Sequence, residues 1–216
     1  MTSFLLVHGW QNRRPPGHWQ HWLALRLKHH QVLYPQLPHP DHPDPAAWVR
    51  ELAVQLARMR HTRRVVICHS LGCMAWLQLA AAGPRALGHV VDHLLFVAPP
   101  SPEFLAAQPE LAAFRADWPI GPLLRATCRT QPRLVCSDND IHCVRGAHHA
   151  YPDTFDVDVL PGAGHLDIPA GYGAWPSLLA WCADPARRIT ANGTLNRKLV
   201  LPGGANGRAC PSLRRW

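Results

Sequence analysis

Six short apolar runs punctuate the first 160 residues, and no other feature narrows the fold as much. They lie at residues 3–7, 31–34, 65–68, 93–98, 133–136 and 155–160. All are of strand length, and those around Leu6, Val66 and Leu95 are nearly all apolar, as burial on both faces of a sheet requires. The segments between them repeat at helical spacing. Trp19, Trp22, Leu23 and Leu27 form one such stripe, and Trp48, Leu52, Leu56 and Met59 form another. The second follows Asp44-Pro45, where Asp caps the first N–H groups and Pro fits the first turn. Further helices are predicted over residues 71–82, before Gly83-Pro84, and over 175–181. Another is expected near 103–116, inside a Pro- and Ala-rich connection across one end of the sheet. Strands alternating with helices imply βαβ units with right-handed crossovers. The expected fold is therefore α/β, a three-layer α/β/α sandwich on a mainly parallel sheet of about six strands.

The 216 residues suit one domain with a substantial core. The net charge of +8 looks like a nucleic-acid signal until it is located. From Asp184 onward there are seven Lys/Arg against one Asp, leaving residues 1–183 at only +2. Gly and Asn clusters without a sustained period mark residues 184–216 as a basic, flexible tail behind a domain of residues 1–183. Its basicity lacks interleaved aromatics and a folded frame, so no nucleic-acid partner is expected. No apolar run reaches the length of a membrane span, and no secretory signal stands at the start, so no membrane partner and a cytoplasmic setting are expected. Seven cysteines at irregular spacing, with no C-x-x-C pair, read as small buried side chains.

Chemistry enters at VVICHSLGC, residues 65–73. A β-branched run ends in His69-Ser70-Leu71-Gly72, and a helical pattern follows. Strand, sharp turn and helix form the setting of a nucleophile elbow, G-x-S-x-G, in which the serine stands at the apex of a strained turn. Gly72 fills the second small position, and Cys68 replaces the first glycine. The competing reading makes Ser70 an ordinary helix cap.

A serine nucleophile needs a base, and the base needs an orienting acid. Ser137-Asp138-Asn139-Asp140 follows the fifth run, and Pro161-Gly162-Ala163-Gly164-His165 follows the sixth. Both fall at carboxyl ends of strands, where open α/β sheets place their sites. His165 is then the base. Either Asp138 or Asp140 can be the acid; loop length favours Asp140, with Asp138 as a turn former. Oxyanion donors are expected from the backbone N–H of Leu71 and from that of Trp10, in the loop after the first run. His8 is read as a hydrogen-bonded structural residue. The pairs His29-His30 and His148-His149 cannot both face one helix side, so no metal site is expected, and no cofactor is implied.

The segments FLLVHGWQNRRPPGHWQHWLALRL, VVICHSLGC, LLFVAPP, LVCSDNDIHC and GAGHLDIPAGYGAWP together resemble the small α/β-hydrolases of the YdeN and retinoblastoma-binding-protein-nine type, a group of serine hydrolases. The resemblance runs over roughly residues 3–183 and implies an α/β-hydrolase fold with a minimal lid. It places Ser70, Asp140 and His165 at the triad positions. It also sets His18 and Trp19 of the H-W-Q segment beside the mouth of the site. With them His69, next to Ser70, is expected to bind substrate. The implied activity is hydrolysis of a small ester, thioester or amide, with a small-molecule acyl substrate. The alternative is a non-catalytic module that binds a protein or ligand on the same scaffold.

Overall fold

The computed structural model describes residues 1–83, 91–115, 119–151 and 154–192. Its elements in chain order are β1 (Thr2–Val7), α1 (Trp19–Arg26), β2 (Gln31–Leu33), α2 (Pro45–Ala57), β3 (Arg63–His69), α3 (Leu71–Ala81) and β4 (His93–Val97). These are followed by α4 (Pro102–Ala107), a 3-10 turn (Ala112–Phe114), α5 (Ile120–Thr127), β5 (Arg133–Ser137), α6 (Ala147–Ala150), β6 (Asp156–Leu160) and α7 (Pro176–Ala183). The six strands form one sheet in the order β2-β1-β3-β4-β5-β6, with every neighbouring pair parallel. All six apolar runs are strands, and the expected three-layer architecture is the one observed.

Successive side chains of a strand point to opposite faces, so a sheet covered on both sides needs apolar residues at every position. In β1, Leu5 and Val7 join Trp48, Leu52 and Leu56 of α2 and Met74 and Leu77 of α3 on one face. Phe4 and Leu6 join Trp19 and Leu23 of α1 and Leu178 and Trp181 of α7 on the other. The start of α2 is fixed as its sequence requires: the Asp44 carboxylate accepts from Ala46 N–H at 3.2 Å and Ala47 N–H at 3.0 Å, with Pro45 in the first turn. The chain reverses its direction of sheet growth between β1 and β3. Their carboxyl ends therefore flank a crevice, the position where ligands settle on open α/β sheets.

Two expectations are corrected. The helix predicted near 103–116 is broken: α4 ends at Ala107, Gln108 is extended ahead of Pro109, and only a 3-10 turn follows. Proline disfavours helical geometry in the residue before it, which ends the helix there. Ala116, its predicted end, lies outside the described residues. The chain beyond Asp184 is not loose at its start either. Ile189 is buried, and its N–H donates to Asp158 at 2.9 Å. Arg188 Nε lies 2.7 Å from the same carboxylate, which also pairs with buried Arg133 at 2.8 Å. Thr190 O accepts from Trp175 Nε1 at 2.9 Å and from Ser177 Oγ at 2.8 Å. Residues 185–192 thus dock against β5, β6 and the start of α7, while 193–216 lie outside the described residues. No helix among the described residues is long and apolar enough to cross a membrane.

Candidate active site

Ser70 is the first residue after β3, at φ 52° and ψ −125°. A non-glycine residue at positive φ is strained and persists only where its surroundings hold it. Here the Ser70 N–H donates to Val97 O at 2.9 Å, which ties the turn to β4. Two glycines make room for it. A Cβ on Gly9 would stand 2.7 Å from Ser70 Cβ. One on Gly72 would stand 2.7 Å from His8 O and 2.9 Å from Val7 O. The helix-cap reading fails, because the Ser70 side chain makes no capping bond to α3. Its Oγ instead lies 2.8 Å from His165 Nε2.

His165 arrives on the loop after β6, which turns through Gly162 and Gly164, both at positive φ. That loop is fastened to the one after β5 by three successive side chains. Gly162 N–H donates to Asp138 at 2.7 Å, Ala163 N–H to Ser137 Oγ at 2.9 Å, and Gly164 N–H to Asn139 at 2.7 Å. Asp138 is therefore a loop fastener. Asp140 is the carboxylate that faces the imidazole, with Oδ2 at 2.8 Å and Oδ1 at 3.0 Å from His165 Nδ1. Its Oδ1 also accepts from His142 N–H at 2.8 Å. Ser70, Asp140 and His165 are all buried.

Four further histidines around this line are pushed towards the neutral form. Burial pushes His8 down to about 4. Its neutral ring donates from Nδ1 to Gly9 O at 2.8 Å and accepts Leu37 N–H on Nε2 at 2.9 Å, the structural role the sequence indicated. Burial likewise pushes His18 and His142 down to about 4, with the neighbouring His165 acting in the same direction. His69 is lowered well below its ordinary value, again chiefly by burial. Its Nε2 donates to His165 O at 3.1 Å, giving the His165 backbone a second anchor.

A cavity of about 440 Å³ opens over Ser70, bordered by Trp10, His18, His69, Ser70, His142 and His165. Among the described residues, neither the Trp10 nor the Leu71 backbone N–H is taken by a protein acceptor. Both residues border the cavity, as oxyanion donors would have to. His18 and His69 line it, whereas Trp19 does not. Its side chain is buried behind them, with Nε1 donating to Leu166 O at 2.9 Å and its ring edge-on to His69. The sequence reading missed Ser137 and Asn139 as loop fasteners, although three short polar residues directly after a strand were visible. It also missed His142, whose ring meets that of His165 at 4.0 Å. Asp140, His142 and His165 bring one potential metal-ligand atom each within 4.8 Å. The Asp140 carboxylate is already taken up by His165 Nδ1 and the His142 N–H, and His165 Nε2 by Ser70.

A family model described as serine hydrolase matches residues 4–183 of the chain. A search of curated proteins finds no match. Among solved structures, the ydeN gene product of B. subtilis superposes with a TM-score of 0.71 at 18% identity, covering 85% of this chain and 97% of that one. A protein described as a YdeN-like hydrolase, from Pectobacterium atrosepticum, gives 0.63 at 20% identity, covering 85% and 90%. A pyrethroid hydrolase from Sphingobium faniae gives 0.56 at 18% identity, covering 86% and 98%. At these identities the likeness is one of fold.

Proposed function

The chain belongs to the serine hydrolase family, and from that membership we propose that it cleaves a small ester, thioester or amide through an acyl-enzyme on Ser70, with esters as the preferred class. The observation that carries the reading is the unbroken hydrogen-bonded line from Ser70 Oγ through His165 to Asp140. With Nδ1–H donating to the Asp140 carboxylate, the Nε2 lone pair of His165 is free to accept the Ser70 proton. Oγ then attacks the acyl carbon. The negative charge that develops on the carbonyl oxygen is met by the N–H groups of Trp10 and Leu71, the latter at the first residue of α3. His165 returns the proton to the departing oxygen, sulfur or nitrogen, and the bond to the leaving group breaks. Water, deprotonated by the same imidazole, releases the acid and restores Ser70.

The neutral histidines around the site fit this scheme. A second cation beside His165 would oppose formation of its imidazolium, and burial keeps His18, His69 and His142 uncharged. The cavity of about 440 Å³ suits a small acyl group. A pre-steady-state burst with p-nitrophenyl acetate tests the reading. One equivalent of p-nitrophenol per enzyme should appear before the steady rate, and Ser70→Ala should abolish both phases. Turnover that survives Ser70→Ala would contradict it.

A further inference from the structure

The cavity over Ser70 has a larger neighbour. On the far side of Phe104 and His142 lies a second cavity of about 780 Å³, and both residues border the two spaces. Their rings lie 4.3 Å apart at 31°, and His142 in turn meets His165 edge-on at 4.0 Å. The second cavity is bordered further by the apolar Pro102, Ile141 and Val144, and also by Glu103, Arg145 and His149. Ile141 is 75% and Val144 80% exposed, in the loop that immediately follows Asp140. Single exposed apolar side chains are common and need no explanation. Two of them on one short loop, bordering a space that shares its wall with the nucleophile's cavity, form an apolar surface that a bound ligand would cover.

We propose that this second cavity is the leaving-group subsite, and that the substrate class is an ester joining a short acyl group to an extended apolar alcohol. The inference rests on the reading of Ser70 as nucleophile and His165 as base. In acylation the His165 Nε2–H gives its proton to the departing oxygen, so the alcohol portion must lie against His165 rather than against the Trp10 and Leu71 N–H groups. His142 packs edge-on against that imidazole and also borders the second cavity. The acyl portion is left with the smaller space over Ser70. Nothing new is required of the bond changes: the acyl carbon–oxygen bond breaks, the alcohol takes the proton from His165, and the acyl group stays on Oγ until water removes it.

The test compares two ester series on the full chain. One holds the acyl group as acetate and lengthens the alcohol from methyl through butyl to octyl. The other keeps methyl and lengthens the acyl group over the same range. kcat/KM should rise about two- to fourfold per methylene along the alcohol series, as burial of each group predicts, and should not rise along the acyl series. In Ile141→Asn/Val144→Asn, two changes at exposed positions, the octyl-to-methyl ratio of the alcohol series should fall by tenfold or more. A rise along the acyl series instead, or an octyl preference that survives the double substitution, would overturn the subsite. Turnover of methyl acetate with no length dependence contradicts the subsite alone. Failure of every ester to turn over contradicts the ester preference proposed for the Ser70 site, on which the subsite rests.

Discussion

Asp138 and Gly162 fasten the two halves of the site, the carboxylate of one accepting the N–H of the other at 2.7 Å. With Ser137 and Asn139 engaged in the same way on either side, the loop after β5 grips the loop after β6 over three consecutive residues. Only Asp140 is left to meet His165. Two carboxylates separated by one residue thus have different tasks, set by which atoms of the facing loop each one reaches.

That division of labour is measurable. Asp140→Asn should lower kcat for ester hydrolysis by about 10³- to 10⁴-fold with the fold intact, because an amide beside Nδ1 favours the wrong imidazole tautomer. Asp138→Asn keeps an oxygen for the Gly162 N–H and should cost a small fraction of that. Paired kinetics on the two variants decide it, and the reverse ranking would move the role to Asp138.

Gly72→Ala tests the packing beneath Ser70. Alanine is the better helix former by about 1 kcal/mol, so intrinsic propensity alone predicts a gain. The added Cβ would meet the His8 and Val7 carbonyl oxygens at 2.7 and 2.9 Å, and backbone cannot swing aside as a side chain can. The variant should therefore melt below wild type and lose turnover, since α3 must move away from β1 and carry Ser70 with it. A rise in Tm with full activity would contradict the elbow geometry.

Stability should fall in mild acid because of the buried neutral histidines. His8 and His18 are pushed down to about 4, whereas an unfolded histidine titrates near ~6.5. Between those values the unfolded chain binds more protons than the folded one, so stability rises with pH across the window. It is fully present above the unfolded value and is lost as pH drops towards about 4. Each such histidine contributes up to about 1.4 kcal/mol per pH unit there. Urea denaturation at intervals between pH 7 and 4 measures the slope, and His8→Gln should reduce it. A flat profile would mean that these rings are not held neutral.

The docked residues beyond α7 make a further prediction. A chain ending at Asp184 loses the buried Ile189 side chain and the Arg188 and Ile189 bonds to Asp158. Burial of one such side chain is worth about 1.5–3 kcal/mol, which corresponds to a fall of roughly 5–10 °C in Tm for a domain of this size. Comparison with a chain ending at Asn192 isolates the docked segment, and equal Tm values would show that it adds nothing.

Much of this was legible in the sequence, for reasons that particular residues make plain. A parallel sheet covered on both faces writes itself as short apolar runs, and all six runs are strands. The Ser70 turn and the Gly-rich approach to His165 were visible because strained turns demand small residues at fixed places. Helix α5 was missed because Gly121-Pro122 sits in its first turn and no side chain caps its start, so the segment reads as a breaker. Trp19 was set at the mouth by family resemblance, whereas the bond from its Nε1 to Leu166 O, 147 residues away, holds it in the interior. Loop length favoured Asp140 over Asp138, but the division of their tasks depends on a facing loop 25 residues distant, which no local pattern shows.

The most direct test of the central claim is covalent labelling with a fluorophosphonate, followed by mass-spectrometric mapping of the modified residue. In the proposed mechanism the strained turn and the imidazole at 2.8 Å would activate one hydroxyl, that of Ser70. One phosphonyl group per chain should map to Ser70, and labelling should vanish in Ser70→Ala and fall sharply in His165→Ala. Ser137 and Ser101, whose hydroxyls fasten a loop and cap a helix, should stay unmodified. Label on either of those residues, or undiminished label in Ser70→Ala, would contradict the account.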